Sequence, residues 1–391
     1  MLCRYHKCIL TPRSSRADVP SKICETLECE VPIFAFSHCR DVVVEVTRSG
    51  GFGVLGASSF TPEQLEIELR WIDEHVGGKP YGLDIVVPGK FSKEAEETSG
   101  RLDALIPAEQ KAFMDRILDD AHVPQLPPEE AERIHDEILK IGRNRTPTGG
   151  MRLVQVALKH PQIRLVVSAL GEPRADVVSL LHERGILVGA LCGKAAHALR
   201  NRDAGVDVLI AQGTEAGGHT GDITTMVLVP QVVEAAAGRA PVLAAGGITR
   251  GSQVAAALAL GADGVWCGTL WLGTRESELQ PFEKEVMFAA KSEDAVRRRC
   301  WTGKPVRMIK SQLSEAWEQP DAPKPLQAPL QALLYNPAHA RVVRAQRKEL
   351  YSHAAGQAVG DLRQESSVKE VMYTLQLEYA QAVERMASLG Q

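Results

Sequence analysis

The chain has 391 residues, 44% of them hydrophobic and 24% charged, with a formal net charge of -4. That length suits a barrel of ~250 residues carrying insertions, and the composition is that of an ordinary globular protein. The acidic balance argues against a nucleic-acid partner, and no apolar run approaches the ~18 residues that span a bilayer, so no membrane role is expected.

In chain order, residues 1–23 read as a basic tail with Arg4, Lys7, Arg13, Arg16 and Lys22. Its apolar stretch, Cys8 to Leu10, is too short for a secretory core. A leader and an upstream start both stay open. The eight cysteines lack metal-ligand spacing and context. They read as unpaired thiols in a reducing, cytoplasmic setting.

Eight short apolar runs follow: 31–36, 53–57, 81–87, 163–170, 186–191, 206–212, 241–245 and 264–268. Each is nearly continuous in apolar character, as parallel strands covered on both faces require. Helical patterns separate them. Residues 61–76 carry Leu65, Leu69 and Ile72 on one face behind Thr61 and Pro62, a cap and a first helical position. Residues 173–184 and 251–260 repeat the pattern, the latter ending at Gly261. Strand and helix in eightfold alternation predict an α/β fold, a TIM (β/α)8 barrel over 24–88 and 151–275.

About 75 residues separate the third run from the fourth. Charged amphipathic helices are expected at 107–119 and 128–142, and a turn-rich linker at 143–150. An insertion at 89–150 would sit on the catalytic face as a lid. A helical decoration or a homodimer contact is the other reading. Residues 276–391 read as a helical C-terminal extension, with helices over 278–300 and 338–388 and an irregular, proline-rich 318–330 between them.

Chemistry is expected where the glycines fall. Gly246-Gly247 ends the seventh run and Gly268-Thr269 the eighth. Loops at those two strands often build a phosphate site in such barrels, because glycine lets backbone N–H groups come close. After the sixth run come Gln212, Gly213, Glu215, Gly217, Gly218, His219 and Gly221. Four glycines in nine residues form a tight loop whose backbone must approach something. Gln212 offers an amide to a planar heterocycle. His219 titrates near neutrality and can move a proton. Glu215 could orient a group or form a structural ion pair.

With these residues in place the sequence resembles the nitronate monooxygenase family, formerly called 2-nitropropane dioxygenases. The likeness runs through Gln212-Gly213-x-Glu215-Ala216-Gly217-Gly218-His219-x-Gly221, Leu243 to Ile248, Ala255 to Thr269, and Ser49 to Gly56. It implies FMN, held by Gln212, Gly217, Gly218, Gly246, Gly247, Trp266, Cys267, Gly268 and Thr269. It makes His219 the counterpart of the catalytic histidine. The implied reaction oxidises an alkyl nitronate or nitroalkane with O2 to a carbonyl compound and nitrite.

The chain departs from the family at two places. Where members often carry Ala-Pro-Met, it has Ala35-Phe36-Ser37-His38. Where they show Phe-Gly-x-Asn, it has Tyr81-Gly82-Leu83-Asp84. Phe36, Ser37, His38 and Asp84 are therefore candidates for an altered pocket, since an ionised Asp cannot donate a hydrogen bond. A related FMN enzyme using NAD(P)H, a quinone or enoyl-thioester reductase, is the alternative. A non-catalytic barrel binding a phosphorylated ligand is the distant one. Anaerobic bleaching by NAD(P)H or by a nitronate separates the first two, and a colourless protein marks the third.

Overall fold

The eight apolar runs become eight parallel strands: Ile33–Ser37 (β1), Phe52–Gly56 (β2), Tyr81–Ile85 (β3), Ile163–Ser168 (β4), Leu187–Cys192 (β5), Val208–Gln212 (β6), Val242–Ala245 (β7) and Gly264–Cys267 (β8). They close a barrel in chain order, with β8 returning to β1 through Ile33↔Val265, Phe34↔Trp266 and Ala35↔Cys267. This computed structural model describes residues 22–86, 102–144, 146–169 and 171–389. The basic tail before Lys22 and the start of the insertion, 87–101, lie outside the described residues.

Alternation along each strand sorts its side chains between two cores. Phe34, Phe52, Val54, Leu165, Val167, Val208, Ile210, Leu243, Ala245 and Trp266 fill the interior. The short helix Lys22–Leu27 (α1) adds Ile23, Cys24 and Leu27 to this cluster. The barrel is thus packed, and the face open to chemistry is the C-terminal mouth. The other strand positions, such as Ala35, Leu55, Leu83 and Val265, pack outward against the helices.

Helix Arg40–Arg48 (α2) follows β1, and Pro62–His75 (α3) follows β2. The Thr61 hydroxyl accepts from the Gln64 N–H at 3.3 Å, and the Gln64 side chain accepts from the Thr61 N–H at 2.8 Å. This reciprocal cap with Pro62 starts the helix where the sequence places it, and Leu65, Leu69 and Ile72 are buried as expected.

The insertion forms two helices, Ala108–Asp120 (α4) and Pro128–Arg143 (α5), close to expectation. The linker expected at 143–150 is not one. Helix Pro147–Ala157 (α6) begins inside it. Thr146 accepts from the Gly149 N–H at 3.0 Å with Pro147 at the first position, the same grammar as Thr61-Pro62. Gly149 reads as a breaker but serves packing, since a Cβ there would run into the Arg143 carbonyl. The remaining barrel helices are Ala175–His182 (α7), Ala195–Asp203 (α8), Thr225–Ala236 (α9) and Gly251–Ala259 (α10). Gly261 takes φ +96° after α10, as a left-handed stop requires.

The extension differs most from the reading. Helix Pro281–Ala289 (α11) is followed by a strand, Ala295–Arg298 (β9), which pairs antiparallel with Val306–Ile309 (β10). The Arg-rich 297–299 stretch looks helical in sequence, because its partner strand is not local. The helix expected over 338–388 is two: Leu330–Arg344 (α13) and Val368–Ser388 (α14), with Gln312–Ala316 (α12) before them. α14 lies against α10, where a Cβ at Gly251 would run into the Leu375 carbonyl. α13 holds the insertion: Arg341 donates to the carbonyls of Val123 at 2.9 Å and Pro124 at 3.1 Å.

Candidate active site

Several unpaired polar groups lie at the C-terminal mouth of the barrel. Gln212 ends β6 on the inner column after Val208 and Ile210. Among the described residues its amide makes no hydrogen bond. At the end of β7 the chain turns through Gly246 (φ +104°) and Gly247 (φ +74°), a conformation that suits glycine alone. Within the described residues no hydrogen bond takes the N–H groups of Gly247 or Gly268. Buried amides are otherwise paired almost without exception. Unused donors at two adjacent strand ends are the chemistry that an anionic group such as a phosphate would take. The Thr269 hydroxyl oxygen accepts from the Gly356 N–H at 2.8 Å, which leaves its own hydrogen to donate.

Trp266 points inward and stacks on Phe36 with centroids 6.1 Å apart, forming an aromatic floor. Cys267 points the other way into the outer core, and burial pushes its thiol up to about 12. Only its backbone faces a ligand, and its carbonyl accepts from the Trp271 indole at 2.7 Å.

Part of the glycine loop has a different purpose from the one its sequence suggests. A Cβ at Gly213 would run into Thr225, at Gly217 into the Ala355-Gly356 backbone at 2.8–2.9 Å, and at Gly221 into the Gly193 carbonyl at 2.9 Å. These three glycines admit other parts of the chain. Gly218 takes φ +76° with open space beside it. Glu215 is a structural residue. Its carboxylate accepts from the Thr225 N–H at 2.9 and 3.1 Å and from the Thr225 hydroxyl at 2.9 Å, at the first turn of α9. A carboxylate there is favoured by the helix dipole.

His219 is exposed, and its Nδ1 sits 3.0 Å from the Pro305 carbonyl. A carbonyl can only accept, so Nδ1 carries hydrogen and Nε2 is the basic nitrogen of the neutral ring. Ser37 is turned to local work, accepting from the Cys39 N–H at 3.1 Å. The His38 ring meets Phe36 edge-on at 5.2 Å, and its Nδ1 donates to the Gly56 carbonyl at 2.9 Å. Asp84 is buried on β3, and burial holds its carboxyl well above the usual carboxylate range.

Three residues of the extension complete the site and carry no local signal in the sequence. Arg307 exchanges backbone hydrogen bonds with Gly218 (2.8 and 3.0 Å), and its guanidinium donates to the Thr214 carbonyl at 2.8 Å. Arg297 pairs with Asp222 at 2.5 Å. His353 lies within electrostatic reach of His38 with its Nδ1 3.1 Å from the Tyr351 hydroxyl, and burial followed by the neighbouring His339 and His38 lowers it to about 3.

A packed (β/α)8 barrel with unused amides at the ends of strands seven and eight and a histidine loop after strand six is matched by a family of flavin-dependent oxidoreductases. The chain belongs to the nitronate monooxygenase family, whose model matches residues 37–378. A Mycobacterium tuberculosis protein, Rv1533, named as a candidate monooxygenase, is 45% identical over 95% of this chain and 99% of its own. A Staphylococcus aureus protein named as a probable nitronate monooxygenase is 27% identical, covering 76% of this chain and 81% of its own. The solved nitroalkane oxidase of Streptomyces ansochromogenes superposes with a TM-score of 0.74 at 26% identity, over 94% of this chain and 100% of that one.

Proposed function

We propose that the protein binds FMN and uses O2 to oxidise alkyl nitronates, and nitroalkanes after loss of a proton, to a carbonyl compound and nitrite. The observation that carries the reading is the convergence of unused amide donors at Gly247 and Gly268 with the Gln212 amide at one mouth, in a chain of this family. Backbone donors and the Thr269 hydroxyl would hold the phosphate. Gln212 and the Phe36–Trp266 floor would meet the ring system. The bound flavin supplies the electron transfer. The chain's part is to bind and orient the substrate, exclude water and move the proton. His219 Nε2 takes the α-proton of a neutral nitroalkane, with Nδ1 anchored on Pro305 so that the ring keeps its orientation.

The insertion acts as a lid by the same reading. Asn144, at its end, donates to the carbonyls of Ser58 (3.3 Å) and Phe60 (2.5 Å) in the loop that leaves β2 at the mouth. One experiment tests the function directly. Purified protein should be yellow, release FMN on denaturation, and bleach anaerobically with a nitronate, with nitrite released in air. Bleaching by NADH or NADPH in place of the nitronate would make it a reductase. A colourless protein that takes up no FMN would end the reading.

A further inference from the structure

Asp84 stands on the inner face of β3. Gly82, two residues before it, faces the interior, since a Cβ there would meet Phe52 and Val54 at 3.0 Å. Side chains alternate, so Asp84 faces the same way, one layer nearer the mouth. It is 4% exposed, and no described residue gives its carboxyl a hydrogen bond or an opposite charge. An acid buried without a partner is costly and is normally completed by a ligand.

Its ladder partner on β2 is Gly56, which presents the same face. The His38 ring lies over Gly56. A Cβ on residue 56 would sit 2.6 Å from His38 Nδ1 and 3.0 Å from the Phe36 ring. Glycine at 56 is therefore the opening that lets the His38 imidazole lie over β2, on the strand next to Asp84. The hydrogen bond to the Gly56 carbonyl and the edge-on contact with Phe36 fix that ring.

We propose that the Asp84 carboxyl forms the subsite for the substrate's nitro or nitronate group, donating to one of its two oxygens, with the His38 ring, held by the Gly56 carbonyl, as the wall of that subsite. This rests on the nitronate oxidation proposed above. Burial favours the protonated form of Asp84, and in that form the carboxyl is an O–H donor that does not repel an anion. Nitronate oxygens carry the negative charge and are strong acceptors, whereas those of a neutral nitroalkane are weak. A donor here favours the anion.

The test uses FMN-loaded wild type, Asp84→Leu, Asp84→Asn and His38→Ala, with propane-2-nitronate as the probe. Asp84→Leu should raise KM about tenfold or more, ~1.4 kcal/mol, with a smaller change in kcat. Asp84→Asn, which keeps a donor, should recover most of that loss. Infrared difference spectra of wild type against Asp84→Asn should show a protonated carboxyl present only in wild type. An unchanged KM in Asp84→Leu, or no such carboxyl band, overturns the proposal. If Asp84→Leu fails to fold, an unchanged KM in His38→Ala overturns it instead. A wild type inert to nitronates while its infrared band is present removes the proposed function, and this substrate with it.

Discussion

At the residue scale two histidines and one acid each predict a measurement. His219→Asn should keep its FMN while turnover of neutral nitroalkanes falls ~10²-fold or more, the usual loss of a general base. Preformed nitronate should be affected less, because its proton is already gone. Unchanged nitroalkane kinetics would remove His219 from proton transfer. Asp84 predicts a pH effect on stability. Its folded pKa is raised, so the folded state holds a proton that the unfolded chain releases above ~3.9. Its contribution is full below that value and is lost as pH rises towards the folded pKa. Asp84→Asn should therefore raise the apoprotein Tm near neutral pH and show no gain near pH ~4. His353 has the opposite sign. It is lowered to about 3, so its contribution is present above ~6.5 and is lost as pH falls through 3. Acid melting of His353→Asn should be shallower over that window than that of wild type.

At the scale of elements, the site depends on chain segments that touch across long sequence distances. The β9–β10 hairpin clamps the glycine loop through the paired Gly218 and Arg307 backbones and the Arg307 guanidinium. Gly217 admits the 355–356 backbone. Gly217→Ala should lose FMN and lower Tm together, since no flexible side chain can give way there. Gly251→Ala should cost ~1–3 kcal/mol by pushing α14 off α10, read by urea melts. Thr61→Ala should cost ~1 kcal/mol through the lost cap and leave kinetics unchanged. A kinetic change there would tie α3 to the mouth more closely than its hydrogen bonds imply.

For the whole molecule, the insertion and the extension act as one layer. Arg341 joins them through the Val123 and Pro124 carbonyls, Phe113 meets Trp317 edge-on at 5.0 Å, and Arg347 donates to the Ala121 carbonyl at 2.6 Å. Arg341→Ala should speed limited proteolysis between α4 and α5 and broaden the substrate range, with FMN content retained. Loss of FMN in that variant would show that the layer supports the cofactor cradle itself.

The barrel was legible because its signals are local. Eight apolar runs, Thr-Pro helix starts and a glycine stop such as Gly261 act within a few residues of where they stand, and the strands lie within two residues of the runs that predicted them. The glycines at 246 and 247 were legible for the same reason, since a turn at a strand end needs their backbone freedom. The roles within the mouth were not. Glu215 reads as a residue that orients a group or forms a structural ion pair, and it bonds Thr225 at the first turn of α9. Gly217 reads as room for a ligand and admits Gly356. The linker at 143–150 is a helix start, and the Arg-rich 297–299 stretch belongs to a strand because 306–309 pairs with it. Sequence determined which residues reach the C-terminal ends of the strands. Only tertiary packing decided which of their polar groups other segments satisfy and which remain for a ligand, because that depends on contacts between residues up to about a hundred positions or more apart.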